Sequence, residues 1–260
     1  MVCVTFGVAT HQQRLQAARD AVNFICQRDQ AELTRPVPNC PGWTVYNAAV
    51  HIGRVAVAWK SMIEAAPDDP DSRVRGYAEA DARGSGHSVD ALASWAHEAI
   101  DALEADVDRE AYFSMTGGRG TIGLWAWHAA SELGIHRIDV AQALGIPHGL
   151  DDALAIDALH YTCDYFLPAM ARVSEAAPGA VEVVAKHGYY SEDDPLARFE
   201  LCAPEAAEVE PAVTISGPPI EVLAALWNRG HELVVISGDD SVLQAWQSLP
   251  GQAFQFGTWD

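Results

Sequence analysis

The sequence is short of positive charge. It has 16 lysines and arginines against 36 aspartates and glutamates, which gives a formal net charge of -20 at pH 7. Proteins bind nucleic-acid phosphates through clustered Lys and Arg, so this balance argues against a nucleic-acid-binding protein. An anionic small molecule would need a local positive group here, such as an arginine or a metal ion.

Long apolar runs are also missing, because no stretch of the sequence approaches the roughly 20 residues that a membrane-spanning helix needs. The first ten residues, Met1–Thr10, lack both the basic start and the apolar length of a secretion signal. The sequence therefore predicts neither a membrane segment nor an export signal. A cytoplasmic protein without a membrane partner is expected.

Paired cysteines are a third absence. The five cysteines are odd in number and widely spaced, so the sequence offers neither a disulfide framework nor a Cys-x-x-Cys metal site. Each is expected to be a small buried apolar residue. Cys40, in the Pro- and Gly-rich loop Pro36–Gly42, is the candidate for a reactive thiol, although no histidine partner for it can be argued from the sequence.

What the sequence does contain is helical periodicity in its first two-thirds. Apolar residues recur at helical spacing, and Thr44 and Ser88 stand where helix N-caps are expected. A further helix begins near Thr121 and stops at Gly145, two residues before Pro147. The predicted helices span 12–30, 45–66, a segment after Ser88, 121–145 and 152–173, with a polar loop over 68–86 and a turn over 116–120.

The pattern changes after Pro178. Alternating apolar residues then predict short strands, joined by two further helices. The predicted strands span 180–185, 198–202, 212–215 and 232–237, and the predicted helices span 219–227 and 240–247. We therefore predict an α+β protein with two domains, a helical bundle over 1–177 and a small α/β unit over 178–260.

Candidate ligands for a metal lie on the helix predicted over 121–145. Glu132 and His136 are one turn apart and lie on the same side of it, although an ordinary surface pair has the same spacing. His51, at the edge of another helix's apolar stripe, is available as a third ligand, and three protein ligands leave the open position of a catalytic metal site.

His128 is a fourth ligand, a supporting group or simply a buried histidine. Asp139 can accept a hydrogen bond from a ligand imidazole or pair with an arginine.

The segments around these residues resemble one known family. Pro41–Val45 followed by His51 resembles the PGWTV…LxxHL segment of the mycothiol-dependent maleylpyruvate isomerases, which belong to the DinB/YfiT-like metalloproteins. Glu132–Asp139 is similar to the family's HExxxHRxD segment, and Leu226–Arg229 followed by Gly238-Asp239 is similar to its C-terminal LWGR…GD pattern. The resemblance runs in order along nearly the whole chain.

This resemblance implies a DinB-like four-helix bundle followed by a small sterol-carrier-like α/β domain. It also implies zinc, or another divalent metal, bound by His51, Glu132 and His136. Mycothiol would be the small-molecule thiol cosubstrate, and Arg229 a catalytic arginine that binds substrate. The implied reaction is cis–trans isomerisation of a small anionic substrate by thiolate addition, bond rotation and elimination, with an arginine from 73–83 as a further carboxylate-binding candidate.

The chain departs from the family pattern at Ser131, where histidine is frequent, and at Asn228, where glycine is usual. Neither departure removes an implied metal ligand, but both lie beside implied site residues. Because family members differ in substrate, other classes stay open. One is a mycothiol S-transferase or metal-dependent hydrolase on the same fold, and another is a non-catalytic protein that binds a thiol conjugate.

Overall fold

The computed structural model describes residues 9–115, 117–172, 178–186, 195–202, 210–230 and 233–253. The chain forms two compact units, one of Thr10–Gly149 and one that contains the chain from Leu150 onward and also Ala9. This division lies at 149/150, whereas the sequence placed its domain boundary at 177/178. In the described residues, no helix is long and apolar enough to cross a membrane.

The first unit is mainly helical. The elements in chain order are α1 (His11–Cys26), α2 (Gln30–Leu33), α3 (Val45–Glu64), α4 (Asp71–Ala82), α5 (Val89–Asp101), a 3-10 turn (Ala102–Glu104), the strands β1 (Glu110–Phe113) and β2 (Gly118–Thr121), and α6 (Ile122–Leu144). The long helices pack against one another, α1 along α6 and α5, and α3 along α4 and α5.

The helices begin at the residues that cap them. The Thr44 hydroxyl accepts a hydrogen bond from the Asn47 backbone N–H, and the Asn47 side chain accepts one from the Thr44 N–H, which makes a capping box at the start of α3. Ser88 and Thr121 cap α5 and α6 with one such bond each. At the end of α6, Gly145 has a φ of 67°, a left-handed conformation that favours glycine. These predicted helix ends are confirmed.

The predicted polar loop over 68–86 is wrong, because most of it forms α4. This helix has no stripe of large apolar residues by which periodicity would reveal it. The residues that it buries are small and four positions apart, namely Ser72, Gly76 and Ala80. Small side chains at the contact allow two helices to approach closely, so α4 packs on α3 without a conventional apolar face.

Replacing Gly76 with alanine is expected to destabilise the protein by about 1–3 kcal/mol through overpacking, even though alanine favours helices. The added methyl carbon would lie 2.7 Å from the Cα and 2.9 Å from the carbonyl oxygen of Ala58, which are backbone atoms of α3. Urea unfolding measures the change, with Ala78→Ser at an exposed position of α4 as the control. An unchanged free energy of unfolding for Gly76→Ala would contradict the close contact.

The glycine-rich segment 116–120 was predicted as a turn; residue 116 lies outside the described residues, Gly117 is in a turn, and 118–120 belong to a strand. Residues of β2 pair antiparallel with β1, from Glu110 opposite Thr121 to Phe113 opposite Gly118. Glycine is depleted in strands, so local preference does not reveal this pairing. The indole Nε1–H of Trp125 donates to the carbonyl of Tyr112 at 2.9 Å, and the hairpin is thereby fixed to the start of α6.

The elements of the second unit are α7 (Asp152–Tyr161), a π-helical turn (Thr162–Phe166), α8 (Leu167–Ala171), β3 (Val181–Lys186), β4 (Pro195–Leu201), β5 (Val213–Gly217), α9 (Pro219–Leu226), β6 (Val235–Gly238) and α10 (Asp240–Ala253). The strands form a mixed sheet with the order β4-β3-β5-β6, in which β3 and β5 are parallel and the other neighbours are antiparallel. The predicted strands and helices are confirmed, although residue 173, the predicted end of the first helix, and residue 232, the predicted start of the last strand, lie outside the described residues. The predicted α+β class is therefore confirmed.

Candidate metal centre

Three side chains from two helices converge within the first unit. His51 lies on α3, and Glu132 and His136 lie one turn apart on α6. Both histidines are buried, with 4% and 5% of their surface exposed. The Glu132 side chain keeps 17% of its surface exposed, so the group lies just below the protein surface. The structure thus brings together the three residues that the resemblance implied as metal ligands.

Two of the three distances between ligand atoms match those of a tetrahedral metal site. Nε2 of His51 and Nε2 of His136 each lie 3.5 Å from Oε1 of Glu132, and one ligand atom from each residue lies within 4.8 Å of the others. Metal–ligand bonds of about 2.0–2.2 Å in tetrahedral geometry separate neighbouring ligand atoms by roughly 3.3–3.6 Å. A direct N–H···O hydrogen bond is shorter, at about 2.9 Å. Two imidazoles and one carboxylate therefore fit a divalent ion such as zinc.

Asp139 sets the orientation of the His136 ring. The Nδ1–H of His136 donates to Oδ2 of Asp139 at 2.9 Å, and Asp139 has no exposed surface. With the proton on Nδ1, the lone pair of the neutral ring lies on Nε2, the nitrogen that faces Glu132. The hydrogen bond to a ligand imidazole, one of the two roles considered for Asp139, is present.

Burial and neighbouring charges shift the pKa values of the three residues in different directions. Burial lowers the pKa of His51. Burial also lowers the pKa of His136, but the carboxylates of Asp139 and Glu132 outweigh it and raise that pKa to about 9, so the metal-free ring is protonated near neutral pH and must release its Nε2 proton when a metal ion binds. Burial raises the pKa of Glu132, yet both histidines together hold it well below its ordinary value. Glu132 therefore stays ionised near neutral pH, which favours a bound cation.

The loop before α3 lies against the same residues. The Cys40 thiol donates to Oδ2 of Asp139 at 3.6 Å, so one carboxylate oxygen contacts both the loop and His136. The Trp43 ring packs against His51 and His136, with ring centroids 5.1 and 5.9 Å apart. Neither contact was predicted from the sequence. The available signal was that Cys40 and Trp43 lie directly before the helix that carries His51.

His128 lies one turn before Glu132 on α6 but outside the group of three. Its ring packs edge-on against Trp59, Phe113 and Trp125, at centroid distances of 5.0, 5.9 and 5.6 Å. Burial lowers its pKa to about 4, although the charge of Glu132 acts in the opposite direction. His128 is therefore a neutral ring in an aromatic cluster near pH 7, which favours the third of its predicted roles, a buried histidine.

Arg229 lies in the second unit, just after α9, and is not part of the three-residue group. It is half-buried, and its Nη1–H donates to the carbonyl of Trp227 at 2.7 Å. Its backbone N–H donates to the carbonyl of Ala224, also at 2.7 Å. These bonds fix the arginine at the C-terminal end of the helix.

The two departures from the family pattern have different surroundings. Asn228 has a φ of 58°, in the left-handed region that glycine adopts freely and asparagine tolerates better than most residues. Asparagine therefore suits the turn before Arg229. Ser131 is buried beside Glu132, and its hydroxyl has no hydrogen-bond partner among the residues that the structure describes.

Of the arginines of residues 73–83, Arg73 and Arg75 lie on α4 and Arg83 directly follows it. Arg75 and Arg83 each form an ion pair with a nearby carboxylate. Arg73 lies over the ring of Tyr77, 5.8 Å from its centroid. Burial raises the pKa of Tyr77, Arg73 lowers it, and the charge of Glu132 raises it again. Tyr77 is thus within electrostatic reach of Glu132, and Arg73 interacts with Tyr77.

The fold and this group of residues define an α+β protein with a buried His/Glu/His set suited to one divalent ion. Residues 15–141 match the family model described as "Mycothiol maleylpyruvate isomerase N-terminal domain". The helical unit is thus similar to this family, and the resemblance seen in the sequence is confirmed. The matched segment contains all three candidate ligands.

Solved structures extend the fold comparison to the second unit. The crystal structure of a mycothiol-dependent maleylpyruvate isomerase matches with a TM-score of 0.56, and that of a histidine-to-alanine mutant matches with 0.60. Each is 18% identical and covers 92% of this chain and 97% of the other. At this identity the likeness shows the fold and not the reaction. No curated protein matches the sequence.

Proposed function

We propose that this chain is a metal- and mycothiol-dependent enzyme of the maleylpyruvate isomerase type, which converts a small anionic cis substrate into its trans isomer. The observation that carries the proposal is the convergence of His51, Glu132 and His136, at tetrahedral spacing, inside the segment that matches the isomerase domain family. Zinc is the proposed ion, since a set of two histidines and one carboxylate is typical of catalytic zinc sites.

Finer features of the fold belong to the same proposal. The packing of α1, α3, α5 and α6 supports a DinB-like four-helix bundle. The mixed sheet of the second unit, with α9 and α10 beside it, supports a sterol-carrier-like domain. The domain limits 1–177 and 178–260 and a cytoplasmic location stay predictions.

The residues of the chain have separable roles in this proposal. His51, Glu132 and His136 would bind the ion, and Asp139 keeps the proton of His136 on Nδ1 so that Nε2 is available. When bound, the metal supplies an open Lewis-acidic position that lowers the pKa of a thiol placed there. A thiolate is a far better nucleophile than a thiol. The mycothiol thiolate would add to the cis double bond, which becomes a single bond and can rotate. Loss of the thiolate would then give the trans isomer and regenerate the cosubstrate.

Substrate carboxylates need cations in a chain with a net charge of -20. Arg229 is the proposed catalytic arginine, because it occupies the arginine position of the family's C-terminal pattern and guanidinium binds carboxylates in a bidentate manner. Arg73 is the proposed second cation, since Arg75 and Arg83 are already paired with carboxylates. Replacing either with lysine is expected to raise the KM for substrate.

The function is tested with purified protein, its bound metal, mycothiol and maleylpyruvate. We expect one equivalent of divalent metal, formation of fumarylpyruvate and an unchanged amount of free thiol. His51→Ala should lose both the metal and the activity, because two ligands remain. Arg229→Lys should keep the metal and raise the KM for substrate, which separates substrate binding from metal binding.

Other outcomes identify the alternatives. Stoichiometric loss of thiol would indicate an S-transferase, and hydrolysis of a test ester or amide without thiol would indicate a hydrolase. Protein that binds mycothiol conjugates but carries no divalent metal would indicate a binding protein and would reject the proposed metal-dependent function.

A further inference from the structure

Trp43 contacts both of the imidazoles that are proposed to bind metal. Its ring lies nearly parallel to that of His136, at an interplanar angle of 21°, and is tilted by 48° from that of His51. The two imidazoles in turn meet edge to face with their centroids 4.6 Å apart. Trp43 is half-buried, so one side of the indole covers the histidines while another side is in contact with solvent.

The backbone holds Trp43 in this place. Pro36 and Thr44 form an isolated β-bridge that closes the loop. Inside it, the Val37 N–H donates to the Trp43 carbonyl and the Trp43 N–H donates to the Cys40 carbonyl, both at 2.9 Å. The indole is therefore carried by a hydrogen-bonded loop and not by a free chain end.

Two side chains join this loop to α6. The Asn39 amide donates to the Gln142 side-chain oxygen at 2.7 Å, and the Cys40 thiol donates to Asp139 at 3.6 Å. Asp139 is three positions from Gln142 and three from His136, so it is a neighbour of both on α6. The loop is thus fixed to the helix that carries two of the proposed ligands.

We propose that Trp43 is a positioning residue for the metal centre, which holds the rings of His51 and His136 so that both Nε2 atoms face Glu132. The proposal rests on the metal site of the proposed function. The indole packs on both imidazoles, and stacked or tilted aromatic contacts at these centroid distances are favourable beyond the area they bury. The indole also excludes water from one side of the ligands, which strengthens electrostatic attraction to the ion.

The test compares metal release from three variants of the full-length, metal-loaded protein. Trp43→Ala removes the contact, and Trp43→Phe keeps an aromatic ring in its place. Trp95→Ala is the matched control, because Trp95 is also half-buried and also packs on a histidine, His87, with centroids 4.6 Å apart. Release to a coloured chelator gives the rate, and the visible spectrum of the cobalt(II)-substituted protein reports the ligand geometry.

We expect Trp43→Ala to release metal about 10- to 100-fold faster, the range found when residues that support metal ligands are lost. Its cobalt spectrum should change, whereas Trp43→Phe should release metal within about threefold of the wild-type rate and Trp95→Ala at the wild-type rate. If Trp43→Ala does not fold by circular dichroism, Trp43→Leu replaces it in the same comparison.

Two results would overturn the proposal while leaving the metal site intact. One is a wild-type release rate and cobalt spectrum in Trp43→Ala. The other is equal acceleration in Trp95→Ala, which would mean general loosening of the unit. If the wild-type protein binds no stoichiometric zinc or cobalt, the proposed function and this inference are both overturned. That result is obtained before any variant is made.

Discussion

Replacing Glu132 with glutamine is expected to abolish stoichiometric metal binding and isomerase activity. Its Oε1 is the atom that both histidine Nε2 atoms face, each at 3.5 Å. Glutamine keeps the shape of the side chain but removes the negative charge, and the affinity should fall by more than the roughly 10–100-fold cost of losing a supporting residue. The metal-to-protein ratio after dialysis and competition with a chelator measure the loss.

Thermal unfolding gives a second measurement of the same change. A ligand that binds only the folded state stabilises it, so a chelator should lower the Tm of the wild-type protein and leave that of Glu132→Gln unchanged. The control is Glu182→Gln in the sheet of the second unit, where the carboxylate accepts hydrogen bonds from Arg198 and Thr214. A Glu132→Gln protein that keeps one equivalent of metal at wild-type affinity would show that the carboxylate is not a ligand.

Replacing His128 with phenylalanine is expected to make the protein less sensitive to mild acid. The pKa of His128 is lowered from 6.5 to about 4 by burial. Between these values the unfolded chain binds a proton that the folded protein does not, so His128 stabilises the folded state above pH 6.5 and this contribution is lost as the pH falls towards 4. At about pH 5 the loss amounts to about 2 kcal/mol.

The change in the free energy of unfolding between two pH values is measured for both proteins, and the two changes are compared. Urea unfolding of wild-type and His128→Phe protein at about pH 7.5 and pH 5, with chelator present, cancels the titration of all groups that the two proteins share. The steric cost of phenylalanine among Trp59, Phe113 and Trp125 cancels as well, because it does not depend on pH. An equal loss of stability in both proteins would show that His128 is protonated in the folded state.

Local signals in the sequence were enough for most helix ends. Thr44, Ser88 and Thr121 each cap the helix that they were predicted to begin, because a hydroxyl that satisfies exposed backbone N–H groups acts through nearby residues alone. The left-handed Gly145 follows from equally local rules. The sheet of the second unit was also recognisable, since alternation of apolar residues has the period of a strand.

Features that depend on tertiary contacts were not predictable in this way. Helix α4 buries small residues against α3, so its packing face carries no hydrophobic signal. The pairing of β2 with β1 depends on hydrogen bonds between segments, whereas its glycines locally favour a turn.

Only part of the candidate site could be predicted from local spacing in the sequence. Glu132 and His136 are one turn apart on one helix, so their proximity follows from helical geometry. His51 joins them only because α3 and α6 meet; its position at the edge of a helix stripe made it a candidate, and the family resemblance implied the same three ligands. The contacts of Cys40 and Trp43 required knowledge of where their loop lies, which no spacing along the chain encodes.

The single oxygen of Asp139 that contacts both His136 and Cys40 has a consequence for local unfolding. Protein segments that share hydrogen bonds tend to open together as one cooperative unit. Opening of the loop would remove the Cys40 thiol from Asp139 and the Trp43 ring from His136, and an ion bound by that histidine would oppose the opening. Slow hydrogen exchange at the amides of Val37 and Trp43, whose bonds close the loop, would therefore report the occupancy of a metal that neither residue binds.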